Sequence, residues 1–533
     1  MNLLDQGNLW LMLDRAEAGP VSAAVCDVSS DQFVGVTAPR ADFRGALYQF
    51  LIGLLQTAYA PKDHDEWFAR WKTPPSRDEL AKAFSPFAAA FELDGDGPAF
   101  MQDYEVLPEK NINSTDSLLI DLGSESNIYF NKLRAWDGMC PACFATAIFT
   151  LQINAPAGGR GYQTSVRGGG PLTTLILPAK QDATLWEKLW LNVLPSNHFL
   201  DSDCDSVVFK ESLNFPWLCS TIVGGKAGIP IVPSPENKLL PYWGTPRRVS
   251  AELKNRRAGE CEICSAHSNE LIEKYRFLSG GADYKGPWTH PLSPYVLDSK
   301  TREVLSFKGG RAYGGYKNWA SFTLGDEDAG VCVAQVIADF NSRKFRYFPA
   351  KERAVVVWCF GYDMQPGQAK ALCWYDTVLP LYVHDSEKIK KKMDSSTRLL
   401  LEVASESARL LGKYVKAARF SRPADVGNEP AVPQSFWQGT EALFYQSLQT
   451  MANAEALDEN TVAAIYRAWL IKLRGKTIAL FDDWVLSAPI EDMDMKRVVQ
   501  ARTELGKWLN AAKPMKSMWQ IVKDVEALQK EGA

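Results

Sequence analysis

An α+β architecture is predicted, with a large mixed α/β N-terminal domain over residues 1–385 and an all-α four-helix bundle over residues 386–533. Three observations predict it. The chain has 533 residues, more than one domain usually holds, and 46% hydrophobic residues with 17 Trp are enough to fill large cores. Up to Asp385, short β-branched runs and helical patterns alternate with irregular stretches rich in Gly and Pro. From Lys388 onward glycines thin out and apolar residues recur at helical spacing.

The elements follow in order. Leu47, Phe50, Leu51, Leu54 and Leu55 predict an apolar helix over Ala46–Ala60. Pro141 suits the first turn of a helix over Ala142–Gln152, where a missing N–H costs nothing. Leu172–Leu177 and Ala354–Phe360, β-branched at their centres, predict strands. Gly224–Pro241 and Gly280–Pro294 read as long loops, which are often functional. The run Gly361-Tyr362-Asp363-Met364-Gln365-Pro366-Gly367-Gln368 reads as a turn after a buried strand, presenting one or two amides at its tip.

In the C-terminal part, Leu400, Val403, Ala404, Ser407, Leu411, Tyr414 and Ala418 share one helix face. Leu443, Phe444, Ser447, Leu448 and Met451 repeat the pattern, as do Val462, Ile465, Trp469 and Leu473. One or two further helices run through Lys496–Leu509 and Met515–Leu528. Amphipathic helices with short connections predict an antiparallel bundle. The run Lys388-Ile389-Lys390-Lys391-Lys392 at the junction is either a solvated helix start or a phosphate-contacting patch.

Two Cys-x-x-Cys pairs carry the clearest chemistry: Cys140-Pro-Ala-Cys143 and Cys261-Glu-Ile-Cys264. Each is half of a tetrahedral thiolate site, and together they would complete a structural zinc centre clamping distant parts of one domain. The alternatives are unrelated thiols or a redox dithiol, although neither pair clearly opens a helix after a strand in a small βαβ unit. Ten cysteines in so long a chain do not make a disulfide framework; they fit a reducing cytoplasm and a metal site. The N-terminus lacks the basic and apolar regions of a signal peptide, and no stretch reaches membrane-spanning length.

Other chemistry is sparse. The five histidines, His64, His198, His267, His290 and His384, are scattered and show no HxH or HExxH spacing. A catalytic metal needs such ligands and an open position. Neither a GxSxG elbow nor a GxxxxGK[ST] loop is present. His290 reads as hydrogen-bonded within its Pro-rich loop rather than as a ligand. The net charge of −4 excludes nucleic-acid binding by bulk charge but leaves room for a local basic groove.

Between the cysteine pairs lies Gly158-Gly159-Arg160-Gly161-Tyr162-Gln163-Thr164-Ser165-Val166-Arg167-Gly168-Gly169-Gly170. So many glycines allow backbone to approach another surface closely, and Arg160, Thr164, Ser165 and Arg167 are donors suited to a phosphate backbone. The same run also suits a tight structural turn. Lys274, just past the second cysteine pair, is a cation that could reach into a groove or simply lie on the surface.

Several motifs stand in a recognisable order. They are Met1-Asn2-Leu3-Leu4, Phe100-Met101-Gln102, the two cysteine pairs, and the glycine-rich run followed by Pro171-Leu172-Thr173-Thr174. Then come Trp288, His290-Pro291 and Ser293-Pro294, Gly361–Met364, and Trp437-Gln438 with Phe444-Tyr445. Together they resemble, nearly end to end, the CasA (Cse-family) large subunits of the type I-E CRISPR surveillance complex Cascade.

The resemblance implies a non-enzymatic subunit of an antiviral complex. It would recognise the protospacer-adjacent motif (PAM) of double-stranded DNA through the minor groove. It would then help open the duplex for crRNA pairing, forming an R-loop, and dock a helicase-nuclease. Its partners would be the other Cascade subunits, crRNA, target DNA and that nuclease. By the same resemblance Cys140, Cys143, Cys261 and Cys264 match zinc ligands, and Gly158, Gly159 and Gly161 match a glycine loop. Arg160 departs from the all-glycine form of that loop and would contact phosphate itself. Lys274 matches the lysine finger, although an ungapped count from Cys264 lands on Ser279, and Lys285 is a further candidate. The glutamine wedge falls on Gln368 first and Gln365 second, and Tyr129-Phe130-Asn131 match the loop that touches the RNA handle. Rival readings are a stand-alone zinc-dependent nucleic-acid enzyme and a purely structural scaffold.

Overall fold

The structure is a computed structural model. It describes residues 1–531 apart from 96, 123–135, 158–160, 200–210, 225–227, 255, 299, 301–302, 309–314, 327–329, 350–352, 365–370, 428, 455 and 488–493. The chain forms two compact units, Met1–Arg311 with Gly325–Val378, and Ala312–Leu324 with Leu379–Ala533.

The first unit is built around the helix Ala41–Ala58, buried along nearly its whole length. Phe50 at its middle meets Trp10, Phe91, Phe100, Phe149 and Trp243 edge-on, with centroids 5.6–6.0 Å apart. Edge-to-face rings place positive edges on negative faces, so this cluster is favoured beyond its buried area. Phe100 and Gln102 of the Phe100-Met101-Gln102 motif are thus structural. Gln102 donates to the Leu93 carbonyl and accepts from the Ala251 N–H. The helix Pro141–Asn154 starts on Pro141 as expected, and Gln152 near its end donates to the carbonyls of Met101 and Arg247.

Strand Thr173–Pro178 pairs antiparallel with Val355–Met364, Phe360 lying opposite Thr173, and Ala371–Leu381 flanks the other edge. The expected turn at Gly361 is displaced, because this strand continues to Met364. Tyr362 is buried and donates its hydroxyl proton to Asp42, which outweighs the local turn signal. Gln365 and Gln368 lie outside the described residues. A second sheet places Lys274–Leu278 between Arg248–Ala251 and Ile112–Ser114. The hairpin Arg257–Glu260 and His267–Leu271 carries the second cysteine pair in its connection.

A buried ion pair lies elsewhere in this unit. The Lys344 ammonium is 3.3 Å from Asp339, donates to the carbonyls of Leu191 (3.0 Å) and Val193 (2.8 Å), and sits over the Trp67 ring. Asp339 also holds the His64 ring at 2.8 Å.

The second unit is helical as expected, but five long helices are described where a four-helix bundle was predicted, because the C-terminal stretch breaks into two. Helix Glu387–Arg419 packs against Ala431–Ala452, Glu459–Leu486, Met495–Ala511 and Lys513–Glu531. Ser386, Asp458 and Asp494 cap three of these helices by accepting from backbone N–H groups inside the first turn. The last two helices break at Ala512, which is extended; Pro514 has no N–H to give the Asn510 carbonyl. The predicted face from Leu400 to Ala418 is buried, as are Phe444, Leu448, Met451, Val462, Ile465, Trp469 and Leu473.

Sequence analysis did not anticipate that Gly315–Thr323 belongs to this unit. Tyr316 is buried there, stacked on Phe444 at 4.3 Å and hydrogen-bonded to Thr440. Lys388 and Lys391 are exposed on the opening turns of the first bundle helix. No helix among the described residues is long and apolar enough to cross a membrane.

Candidate metal centre and nucleic-acid interface

The two cysteine pairs converge. All four Sγ atoms lie within 4.8 Å of one another, and Cys140 Sγ is 3.8 Å from Cys264 Sγ. A tetrahedron with zinc–sulfur bonds of about 2.3 Å has edges of about 3.8 Å, so the spacing fits such an ion. Cys140 caps the helix Pro141–Asn154, which puts Cys143 one turn on, and the Cys140 N–H donates to Cys261 Sγ at 3.2 Å. Cys261 and Cys264 are set by a knuckle in which the Cys261 N–H donates to Ala266 and the Ser265 N–H to Cys261. Ser265 takes the left-handed conformation there, with φ +59°.

Backbone bonds join the two halves. Met139 and Ile272 exchange N–H to carbonyl bonds of 3.0 and 2.8 Å, and the Glu262 N–H donates to Gly138 at 3.1 Å. As thiols the four sulfurs share protons. Cys261 and Cys264 are pushed down, the latter to about 7, because Cys140 and then Cys143 donate to them. Cys143 is pushed up by its bonds to Cys140, Cys261 and Cys264. A metal ion would take the place of those protons, and the quartet is able to hold one.

Of the glycine loop, Gly161 is described, while Gly158, Gly159 and Arg160 lie outside the described residues. Gly161 has φ +87°, and a Cβ there would fall 2.7 Å from the Ser279 Cβ. Its carbonyl accepts from the Gly280 N–H at 2.9 Å, so only glycine fits this closely pinned position. The next residue, Tyr162, stacks on Phe277 at 4.8 Å, and Arg247 lies over its ring at 4.8 Å. The far end of the glycine-rich run is equally tight: a Cβ on Gly170, φ +63°, would fall 2.2 Å from the Met364 Cγ. The last residue of the strand that leads to Gln365 therefore rests on the end of the glycine-rich run.

The cations divide. Lys274 opens its strand opposite Ser114, and its ammonium has no ion-pair partner among the described residues. At about 3.3 Å per residue it stands roughly 13 Å along the strand from Leu278. It is thus on the metal-centre side rather than beside Gly161: the neighbouring Glu273 carbonyl accepts from the Thr115 N–H, and Ile272 pairs with Met139. Ser279, the position reached by the ungapped count, is the one that abuts Gly161. Lys285 is exposed, 3.3 Å from Asp283, and lines a groove of about 1040 Å³ together with Thr164, Gly168, Trp288 and Lys308.

Arg167 corrects the reading of the glycine-rich run. It is not a phosphate donor. It is 4% exposed, and its guanidinium donates to Thr173 (2.9 Å), Ser293 (3.0 Å), Gln49 (2.8 Å) and the Ile153 carbonyl (3.3 Å). Burial lowers its pKa to about 10. Ser165 also points inward, donating to the Gly168 carbonyl at 2.6 Å. His290 behaves as expected: it is buried and its Nδ1 accepts from the Leu292 N–H at 3.1 Å. Burial, then the Arg167 charge, hold it well below the ordinary histidine range. Tyr129, Phe130 and Asn131 lie outside the described residues. Sequence reasoning missed the Arg247–Tyr162–Phe277 stack, since no spacing links residues so far apart.

A model of the family described as CRISPR-associated protein Cse1 matches residues 2–480. The chain belongs to that family. Its fold is similar to that of CasA from Thermus thermophilus, with a TM-score of 0.67 at 17% identity over 96% of this chain and 99% of that one. It is similar also to Cse1 from Thermobifida fusca, with a TM-score of 0.68 at 16% identity over 97% of this chain and 98% of that one. A chain of a CRISPR RNA-guided surveillance complex gives a TM-score of 0.67 at 15% identity over 95% of this chain and 99% of that one. At such identities the likeness is one of fold. The Cse1 family membership agrees with the resemblance read from the motifs.

Proposed function

We propose that this chain is the large subunit of a type I-E Cascade-like complex and acts in antiviral defence as a binding subunit rather than an enzyme. It recognises the PAM of duplex DNA through the minor groove, helps open the duplex for crRNA pairing, and docks a helicase-nuclease. The cysteine quartet holds a structural zinc ion. The observation that carries the reading is the seating of Met364 on Gly170, which brings the chain leading to Gln365 and Gln368 to the end of the glycine-rich run.

Physical reasons support it. The minor groove displays a degenerate donor and acceptor pattern, so backbone at a glycine loop and one cation read it loosely. An amide inserted at the first base step offsets unstacking, which costs a few kcal/mol, and the guide then reads sequence by pairing. Lys285, lining the groove beside Thr164 and Gly168, is better placed to accompany the loop than Lys274. Four thiolates saturate a zinc ion, which leaves it no position for a substrate.

The test is duplex binding by a guide-loaded complex assembled with and without this chain, on targets with a cognate or a scrambled motif. The chain should tighten binding to the cognate duplex selectively. Substituting Gln365 and Gln368, and Lys285 more than Lys274, should abolish that preference while sparing single-strand pairing. A chain that neither joins the complex nor changes the preference would refute the reading.

A further inference from the structure

The long loop that opens at Gly224 presents bare aliphatic side chains at and just before its start. Ile222 and Val223 are each 45% exposed, and Ile229 is 73% exposed. The stretch is pinned on both sides. Thr221 donates to Asp103 at 3.0 Å, and the Gly224 N–H donates to the Gly281 carbonyl at 3.1 Å. A Cβ on Gly228 would fall 2.2 Å from the Val223 carbonyl oxygen, so the next residue, Ile229, follows beside Val223. Further on, the Ile231 N–H donates to Asp283 and the Lys285 N–H to Ile231, both at 2.9 Å. Exposed aliphatics held together in this way form a contiguous patch, and such patches mark contact surfaces.

The patch adjoins the glycine-rich run. Val223 Cγ1 lies 3.4 Å from where a Cβ on Gly280 would stand, and the Gly280 N–H donates to the Gly161 carbonyl at 2.9 Å. Tyr162, next to Gly161, is 43% exposed and adds its ring. The segment that carries the patch ends in Lys285, which lines the groove beside Thr164 and Gly168. We propose that Val223, Ile229 and Tyr162 form an apolar ridge that packs on deoxyribose in the minor groove of the target duplex and selects DNA over RNA there. This inference rests on the function proposed above and names the sugar chemistry that its site accepts. In the minor groove an RNA strand displays 2′-hydroxyls where DNA offers only C–H surface. A hydroxyl pressed on an aliphatic side chain loses its water and gains no partner. Cations cannot make this distinction, because they contact phosphates that both nucleic acids share.

The experiment assembles the guide-loaded complex with the full chain as wild type, as Val223→Thr combined with Ile229→Thr, and as Lys285→Ala. Threonine keeps the branched shape and changes the polarity, and melting curves confirm folding. The targets are a cognate duplex and the same duplex with ribonucleotides in one strand across the motif. Wild type should bind the all-DNA duplex about tenfold or more tightly than the ribonucleotide-bearing one. The threonine variant should bind the all-DNA duplex more weakly and shrink that ratio, with its salt dependence unchanged because no phosphate charge is involved. Lys285→Ala should instead keep the ratio and lower the salt slope by about one. An unchanged ratio in the threonine variant overturns the proposal. So does failure of that variant to join the complex, which would make the patch a subunit contact. If wild type prefers the cognate motif but does not prefer DNA over RNA, only this inference falls. If wild type shows no motif preference, the function proposed above falls with it.

Discussion

Replacing Lys344 by Met removes a buried charge while keeping most of the side-chain volume. Asp339, 1% exposed, would then lose the ammonium at 3.3 Å and keep the His64 ring at 2.8 Å and the His198 ring at 3.7 Å, neither of them a fixed charge. In the native protein burial pushes the Asp339 pKa up, but Lys344 and then His64 more than offset this and hold it below the usual carboxylate range. Breaking one side of a buried pair leaves an uncompensated charge and costs about 3–5 kcal/mol. With an unfolding entropy of about 2.1 cal/mol/K per residue, the roughly 360 residues of the first unit give about 0.8 kcal/mol/K. Lys344→Met should thus lower the melting temperature of this unit by roughly 4–7 °C. Adding Asp339→Asn removes the stranded charge and should restore most of that loss. Thermal unfolding followed by circular dichroism reads both effects. A single variant that melts with the wild type, or a double variant no better than the single, would refute the reasoning.

Three further outcomes are expected. The purified protein should carry about one zinc per chain, and Cys264→Ser should lose it and speed amide exchange in the hairpin Arg257–Leu271; far less than one zinc, with all four cysteines alkylated in the folded protein, would dismiss the site. His290 stays neutral when folded and protonates on unfolding, so its stabilisation is full above its unfolded pKa of about 6.5 and falls below it by about 1.4 kcal/mol per pH unit. His290→Asn should flatten that acid-side slope of the urea stability by one proton, and an unchanged slope would place the titration elsewhere. Gly170→Ala adds a Cβ where Met364 sits and a strained φ of +63°, so duplex opening should fall while binding to a pre-opened target persists; equal loss on both targets would show a folding defect instead.

Much of the fold was legible because its signals are local. Leu400 through Ala418 recur at helical spacing, and that face is buried regardless of which helices cover it. Pro141 after Cys140 marked a helix start because a missing N–H is harmless there. Gly361 misled for the opposite reason. Its turn signal is local, whereas the burial of Tyr362 against Asp42, far away in sequence, kept the strand going. Gly315–Thr323 likewise joined the helical unit through the Tyr316 ring, which no change in composition announced.

The candidate site divides along the same line. By itself the sequence determined the ligand chemistry: two Cys-x-x-Cys knuckles, a glycine-rich run, and two glutamines after an apolar strand. These are properties of residue type and short spacing, which survive whatever the chain does between them. Tertiary structure alone decided which way the polar side chains point and which segments meet. It turned Arg167 into the core, where four neutral acceptors hold it, set Lys285 rather than Lys274 beside Thr164 and Gly168, and seated Met364 on Gly170. An arginine reads the same in a sequence whether it faces a phosphate or Gln49. Only the packing around it, assembled from residues far apart in the chain, determines whether its charge is solvated or satisfied inside.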